Sequence, residues 1–584
     1  MQLKSNMNST SEKYSCHTII DLLTLHGIRD VVISPGSRNA PLIIAASRNK
    51  TLRKTVIVDE RSAAFVALGM CAANNGAHPV ALICTSGTAL LNYAPAVAEA
   101  YYRCLPLIVI SADRPVEWID QDDSQTLRQY EALNNYVKKS YNIPAFCETD
   151  NLKWYVNRIV NDAIITANSG RKSPIHLNIQ IDEPLNRCIN YDSINQREIA
   201  FPSTTSRLDS DYIKKHIIPN LQDKRILIIA GFQNCDESNW IINQKNDLCH
   251  SLNTFINTHS NVVLLNESIS NINNTNAINN IDRVLSEMTS DEKESLKPDI
   301  VISFGGAIVS RFIKQYIRGL KSVEHWHVGI TNTTIDCFKS LTMRINLSPR
   351  DFFDQLNEIS DTNSIKSSIE SNYKKSWDKI ALRAEYSHEL YVANSTWSDL
   401  KAFSIILPKL SGNLHLSNGT PIRYHQLFNY NQEVTQVKCN RGVSGIDGST
   451  STAIGHSLIS TQKTTLITGD LSAQYDIGAL SINNIPTTFK MIVMCNGGGG
   501  IFRFIDSTSQ LEELEEYFAT KSTLPLKELS QGYGFNFYSA TNESELNEIF
   551  SIFWNNDNSP SILAIYTPPI ESAQILKKYF KRNS

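Results

Sequence analysis

The sequence contains no HExxH, no Walker A loop and no GxSxG, which removes the commonest zincin, P-loop and serine-hydrolase chemistries. Its 11 cysteines are an odd number, scattered from Cys16 to Cys495 with no CxxC pair or other metal-ligand spacing. A disulfide framework and a zinc site are therefore not indicated, and reduced, mostly buried thiols of a cytosolic protein are expected. Apolar runs stop far short of the roughly 18 residues of a membrane span; RILIIAGF, from Arg225 to Phe232, has strand length. Charge of one sign is also lacking: Lys+Arg 55 against Asp+Glu 58 leaves a net −3, without the global basic field that nucleic-acid binding uses. The start, MQLKSNMNSTSEKYSC, lacks the apolar core and small-residue cleavage site of a secretory signal, so a mature chain beginning at Met1 and a cytoplasmic location are expected.

What is present is 584 residues, 41% hydrophobic and 19% charged, an ordinary globular composition long enough for about three domains. Apolar runs without period-2 alternation recur: VVIS (31–34), TVIVD (55–59), VALICTS (80–86), LPLIVISAD (105–113) and PIHLNIQ (174–180). Such runs suit strands buried on both faces of a parallel sheet. A polar stretch, FPSTTSRLD (201–209), precedes a second set, RILIIAG, NVVLLN, DIVISFGG and HWHVGI. An Asn-rich loop between Ser270 and Asn280 interrupts that set, and a polar helical segment over 359–396 leads to a third, TQVKCN, TTLITGD, FKMIVMCN and SILAIY. The predicted fold class is α/β, with three doubly wound, mostly parallel domains over 1–190, 205–358 and 397–584, related by duplication.

Ligands in open α/β sheets bind beyond the carboxyl ends of strands, so the loops there are the candidate sites. After VVIS, the loop PGSRNAPL offers Ser37 and Arg38, the latter a fork for carboxylate or phosphate; a plain strand-to-helix turn with a surface arginine is the alternative. Glu60 follows TVIVD and enters a small-residue helix. It is either a partly desolvated functional acid or a helix N-terminal acid complementing the dipole. CTSGTALLN supplies donors at Thr85, Ser86 and Gly87, and Arg114, Gln125 and Arg128 follow SAD, where an Arg and a Gln could reach one cleft. In the last third, GDLSAQYD and NGGGGIF each follow a strand, with Asp470 and Asn496 26 residues apart. An Asp and an Asn on neighbouring strand ends suit Mg²⁺ carrying a diphosphate.

These strings together resemble a known family. The GD-to-N pair is similar to the metal and diphosphate motif of thiamine-diphosphate-dependent enzymes, and Glu60 is similar to their activating glutamate. SPGSRNAPL, DERSAAF, TSGTALLNYAPAVAEA, SADRP with Gln125, NRGVSGIDG and GDLSAQYD resemble, within that superfamily, the 2-succinyl-5-enolpyruvyl-6-hydroxy-3-cyclohexene-1-carboxylate synthases of menaquinone biosynthesis. The matches run in order from about Gly36 to Phe502. The resemblance implies a pyrimidine-binding first domain, a central domain and a diphosphate-binding third domain. The cofactor would lie between the first domain of one subunit and the third of another, in a homodimer or homotetramer.

Further implications concern single residues. Glu60 would contact the cofactor pyrimidine; Asp470, Asn496 and the Gly498 carbonyl would hold Mg²⁺, with Mn²⁺ as an alternative. Thr85, Ser86, Gly87, Ser444, Ile446, Leu471, Ser472, Ile501 and Phe502 would line the cofactor, with Ile446 wedged beneath it. The substrates would be 2-oxoglutarate and isochorismate, two dicarboxylates bringing four negative charges, and Arg38, Arg114, Arg311, Arg423 and Arg441 are the candidate clamps. Ser37, Gln125 and Thr420 would contact substrate, with Gln125 as proton relay. The sequence departs from the pattern at three points: Arg311 stands where Lys is common, Gly419 where Ser is common, with Thr420 as its substitute, and Cys495 in place of the first Asn of a pair. A pyruvate-using carboligase similar to acetohydroxyacid synthase is the alternative within enzymes, and a non-catalytic member of the fold the alternative outside them. A nicotinamide oxidoreductase is disfavoured because no strand is followed by GxGxxG and an acidic partner.

Overall fold

The computed structural model describes residues 9–191, 194–202, 206–222, 224–233, 248–274, 276–363, 372–429 and 431–581. Cys235, part of FPSTTSRLD, Thr275 of the Asn-rich stretch and the middle of the 359–396 segment lie outside the described residues. Nineteen strands are described. A short antiparallel ribbon pairs β1 (Ser9–Ser11) with a later strand, β8. The first parallel sheet contains β2 (Asp30–Ile33), β3 (Arg53–Val56), β4 (Val80–Cys84), β5 (Leu107–Asp113), β6 (Ser140–Ile143) and β7 (Ile175–Gln180); β8 is Cys188–Asn190. The second contains β9 (Ile226–Ala230), β10 (Val262–Asn266), β11 (Ile300–Phe304), β12 (Glu324–Val328) and β13 (Leu341–Ile345). The third contains β14 (Gly412–Leu416), β15 (Val434–Cys439), β16 (Thr464–Gly469), β17 (Phe489–Cys495), β18 (Asn536–Ala540) and β19 (Ser561–Tyr566).

The first sheet runs β3-β2-β4-β5-β7-β6 and the third β15-β14-β16-β17-β19-β18, the same order when each is counted from its own first strand. The second, β10-β9-β11-β12-β13, keeps the same reversal between its first and third strands. All three sheets are therefore α/β and parallel, in agreement with the predicted class. Burial on both faces accounts for the unbroken apolar runs: in β9, Ile226, Ile228 and Ala230 enter one core while Leu227 and Ile229 enter the core on the opposite face. TVIVD is the exception. The strand there is Arg53–Val56 at the sheet edge, with Val56 55% exposed, and Ile57 to Asp59 form the turn that follows. Of the ten described cysteines, five are buried, four are half-buried and Cys188 is exposed, so burial is less general than expected.

The described chain forms two compact units. One holds Met1–Ser203 together with Gly442–Thr461 and Asp476–Pro486; the other holds Thr204–Arg441, Gln462–Tyr475 and Thr487–Ser584, and so contains the second and third sheets. Within the first unit the helix Glu60–Ala73 packs on the helix Ser449–Ser457 with almost no side-chain material between them. A Cβ on Gly69 would lie 2.0 Å from the Thr452 carbonyl oxygen, and one on Gly455 2.1 Å from that of Val66. The alanine-rich stretch of the first helix, buried from Ser62 to Ala73, is what permits this approach, since a helix apolar on all sides is stable only when enclosed. Just beyond, Asp476 is buried and accepts from Ser451 N (2.7 Å) and Oγ (2.9 Å), tying the second helix down.

Replacing Gly69 or Gly455 with Val forces the two backbones apart, and the overpacking cost is about 3 kcal/mol. Thermal unfolding of each variant should show a midpoint several degrees lower than wild type. Gly319→Ala, where a Cβ meets nothing within 4 Å, serves as control; equal midpoints for all three would show that the helices separate at no cost.

Candidate active site

In the first unit the strand order reverses between β2 and β4, the place where a crevice opens beyond the strand ends. The loops after these two strands touch: a Cβ on Gly36 would lie 2.4 Å from the Thr85 Cβ, so only glycine fits there. Asn39 Nδ2 donates to the Ser34 carbonyl (2.8 Å), holding the first loop. Thr85 and Ser86 are buried, and Thr85 Oγ1 has no hydrogen-bond partner among the described residues. Gly87 has φ 85° and donates its N–H to Gln129 Oε1 (2.8 Å). The Gln129 amide nitrogen donates in turn to Ala112 O and Asn178 Oδ1, both at 3.0 Å. This anchor brings Gln125, at φ 56°, against Gly87. Ser37 and Gln125 are not buried.

Glu60 is the first residue of its helix, while Asp59 caps the helix by accepting from Arg61 N (3.0 Å) and Ser62 Oγ (2.8 Å). Burial raises both the Cys84 thiol and the Tyr93 phenol, and the Glu60 carboxylate adds to each rise, which puts Glu60 at the end of β4. Of the two arrangements expected for Glu60, the structure shows the acid at a helix N-terminus, past the turn that follows β3. Arg38 is buried, donates to Ile181 O (3.0 Å) and lies 3.3 Å from Glu183. Burial, and next the neighbouring Arg114, holds its guanidinium below the ordinary arginine value. Arg114 pairs with Asp123 at 2.6 Å. Arg128, by contrast, is exposed and paired with Asp120 (2.8 Å), not buried beside the other two. The loop after β15 ends in this unit as well, with Ser444 at φ 72°, Ile446 42% exposed and Gly448 against the Phe65 ring.

In the second unit the third sheet reverses between β14 and β16. Asp470 opens a helix at the end of β16, is buried, and accepts from Leu471 N (2.8 Å) and Gly498 N (2.9 Å). Burial pushes its carboxyl up to about 6. Gly498 has φ 98°, and a Cβ there would lie 2.2 Å from Ala519 O. Asn496 is buried and donates its Nδ2 to Asp399 Oδ2 (2.8 Å), which leaves its carboxamide oxygen to offer a cation. Arg503 donates to the carbonyls of Asn496 (3.2 Å) and Gly497 (2.8 Å) and pairs with Glu515 at 2.7 Å. The Gly498 carbonyl accepts from Gly500 N (2.8 Å) and retains a lone pair. One carboxylate, one carboxamide oxygen and one carbonyl are a hard-oxygen set suited to Mg²⁺ completed by phosphate and water. Among the described residues there is no cluster of three or more His, Cys, Asp or Glu that could hold a metal. Leu471, Ile501 and Phe502 are half-buried beside this turn and Ser472 is buried, with the Phe502 ring 5.8 Å from Phe518.

Three of the candidate clamps also converge in this unit. Arg423 donates to Gly419 O (2.9 Å) and Arg441 to Asn418 Oδ1 (3.1 Å). Burial first, then Arg441 and more weakly Arg311, hold the Arg423 guanidinium below its usual value, opposed by Asp282. Gly419 has φ 95°, a conformation a Ser would adopt only with strain, and Thr420 is buried beside it at the start of its helix. Sequence reasoning missed Glu267 and Asp282. Glu267, fully buried at the end of β10, accepts from Val309 N (2.6 Å) and Ser310 N (2.7 Å); burial pushes it up to about 7. Asp282 accepts from Ser310 Oγ, and Ser310 caps the helix that starts at Arg311. The signal was available, since Glu267 follows NVVLLN as Glu60 follows TVIVD.

Residues 16–132 match the family model described as thiamine pyrophosphate enzyme, N-terminal TPP binding domain. The chain is 40% identical over 574 residues to the 2-succinyl-5-enolpyruvyl-6-hydroxy-3-cyclohexene-1-carboxylate synthase of Porphyromonas gingivalis, covering 98% of this chain and 97% of the relative. It is 39% identical over 568 residues to that of Flavobacterium psychrophilum (97% and 98%) and 33% identical over 575 residues to that of Bacteroides thetaiotaomicron (98% and 99%). With a thiamine-enzyme first domain and identity sustained across all three sheets, the chain belongs to the 2-succinyl-5-enolpyruvyl-6-hydroxy-3-cyclohexene-1-carboxylate synthase family.

Proposed function

We propose that the chain catalyses the thiamine-diphosphate- and Mg²⁺-dependent decarboxylation of 2-oxoglutarate and the addition of the resulting succinyl unit to isochorismate, releasing CO2, as a transferase of menaquinone biosynthesis. The observation that carries this is the pair of cation groups, Arg38 with Arg114 in one unit and Arg311, Arg423 and Arg441 in the other. Two dicarboxylate substrates require such a supply, whereas a pyruvate site needs one clamp. Guanidinium forks grip carboxylates bidentately, and substrate carboxylates would relieve the repulsion that Arg114 imposes on the buried Arg38, and that Arg441 and Arg311 impose on the half-buried Arg423.

When bound, thiamine diphosphate supplies the electron sink for loss of CO2. Glu60, at the N-terminus of its helix, would hydrogen-bond the pyrimidine end and hold a proton there. Thr85, whose buried hydroxyl lacks a partner among the described residues, lines the same end with Ser86, Gly87, Ser444 and Ile446. Asp470, the Asn496 carboxamide oxygen and the Gly498 carbonyl hold Mg²⁺, or Mn²⁺ in its place, with Leu471, Ser472, Ile501 and Phe502 around the diphosphate. Ser37, Gln125 and Thr420 contact substrate, and Gln125 returns a proton to the new carbon centre. The pyrimidine-end residues fall within 1–190 and the loop 442–448, and the metal-end residues within 397–584. Complementary halves come from two copies, in a homodimer or homotetramer in the cytoplasm. Among the described residues no helix is long and apolar enough to cross a membrane.

Purified protein should deplete isochorismate absorbance only when Mg²⁺, thiamine diphosphate and 2-oxoglutarate are all present. Release of CO2 without isochorismate loss would leave the cofactor and remove the acceptor. Glu60→Gln should lower kcat by about 10³-fold with an unchanged melting temperature, within the range of proton-transfer contributions; near-normal turnover would exclude Glu60 from that role. Asp470→Ala should abolish Mg²⁺-dependent cofactor binding in calorimetry, and an unchanged Kd would take it out of the metal site. Arg423→Ala should raise the KM of one substrate by about 30-fold, about 2 kcal/mol for a lost charge-assisted pair. Equal KM values would remove Arg423 from the clamps.

A further inference from the structure

The loop that follows β15 carries Ser444 and Ile446, and its first two amides are held by a carboxylate from a distant part of the chain. Glu99 lies on the helix Ala94–Tyr102 and is only 2% exposed. It accepts from Gly442 N through Oε1 (2.8 Å) and from Val443 N through Oε2 (2.6 Å). Arg103, one helical turn on and also buried, places its Nε 3.9 Å from the same carboxylate. Gly442 fits only as glycine: a Cβ would lie 2.6 Å from the Glu99 backbone oxygen and 3.1 Å from Arg103 Cγ. The Val443 side chain itself is 56% exposed, so burial of that residue does not hold the loop.

We propose that Glu99 is the positioning residue of the Gly442–Gly448 loop, fixing the left-handed Ser444 and the exposed Ile446 where they meet the cofactor. Two consecutive N–H groups on one carboxylate define both the position and the direction of the chain leaving them. Downstream the loop is pinned again by Gly448 against Phe65, so the residues between have both ends fixed within the same unit. A buried carboxylate is suited to hold such a pair of amides, because its two oxygens accept both donors, whereas a carboxamide accepts one and turns its NH2 towards the other. The inference rests on the proposed thiamine-diphosphate site.

In the unmodified protein, hydrogen exchange at the Gly442 and Val443 amides should be slow although Val443 is exposed; exchange at free-peptide rates would overturn the proposal. Glu99→Gln should weaken thiamine diphosphate binding in the presence of Mg²⁺ by about tenfold, which is about 1.4 kcal/mol. It should also reduce the near-ultraviolet circular dichroism of the bound cofactor at saturation and speed exchange at both amides. Gly442→Ala, which leaves the carboxylate intact but pushes the loop off it, should reproduce the cofactor effect. Wild-type Kd and spectrum in a folded Glu99→Gln protein would overturn the positioning role. Should Glu99→Gln fail to fold, Gly442→Ala and the wild-type exchange rates decide the matter alone. Failure of the wild-type protein to bind thiamine diphosphate at all would instead remove the cofactor reading on which the inference stands.

Discussion

In the first unit two helices meet backbone against backbone, not side chain against side chain. Helix Glu60–Ala73 and helix Ser449–Ser457 meet through Gly69 and Gly455, each directly against a carbonyl of the other. Everything at the edge of that unit depends on this contact, because the N-terminus of the first helix carries Glu60 and the N-terminus of the second ends the loop that carries Ser444 and Ile446. Segments far apart in sequence are thereby fixed on one rigid element pair. At van der Waals contact between main chains there is no soft side chain to absorb a displacement, so the spacing of the two N-termini is set by the covalent geometry of glycine.

The second constraint is electrostatic. Arg311, Arg423 and Arg441 are electrostatic neighbours, with Arg311 exposed, Arg441 half-buried and charge on Arg423 penalised by burial, and the acids Asp282 and Glu267 oppose them. Those two acids are engaged elsewhere, Glu267 by the Val309 and Ser310 amides and Asp282 by the Ser310 hydroxyl. They fix the turn that launches Arg311. Three neighbouring guanidiniums facing two acids that are engaged elsewhere leave a local excess of positive charge. The overall charge of −3 conceals it completely, because composition averages over a surface while recognition depends on a few neighbouring groups.

Much of this was legible in the sequence, for identifiable reasons. Central strands such as β4, β5, β9 and β17 are buried on both faces and so read as unbroken apolar runs, and the loops after them could be located by position alone. Edge strands with polar faces could not. β3 reads RKTV, β13 LTMRI and β18 NFYSA, each with exposed or half-buried residues, so their polar faces erase the run and their ends shift or vanish. Of the candidate residues carried by strand-end motifs, Asp470 and Asn496 follow directly on β16 and β17, whereas Glu60 and Arg38 lie beyond the turns after β3 and β2. Gln129, Asp282 and Glu99 were not singled out, because their partners lie far away in sequence and no local pattern marks a group that waits for a distant one, whereas Glu267 was missed although it follows a strand run as Glu60 does.

The repeated strand order adds a reason why the two kinds of site residue sit where they do. The first and third sheets share one topology, so each opens a crevice at the same reversal, after its first and third strands. In the first sheet that crevice is lined by Ser34, Gly36 and Thr85, neutral groups that suit a heteroaromatic ring. In the third the corresponding loops carry Gly419 and Asp470, and the turn after the next strand carries Asn496 and Gly498, oxygen donors that suit a cation and its phosphates. One architecture thus provides two chemically opposite cradles through the residues at equivalent strand ends. The difference lies in the side chains at those strand ends and not in the backbone, because the strand order that opens each crevice is the same.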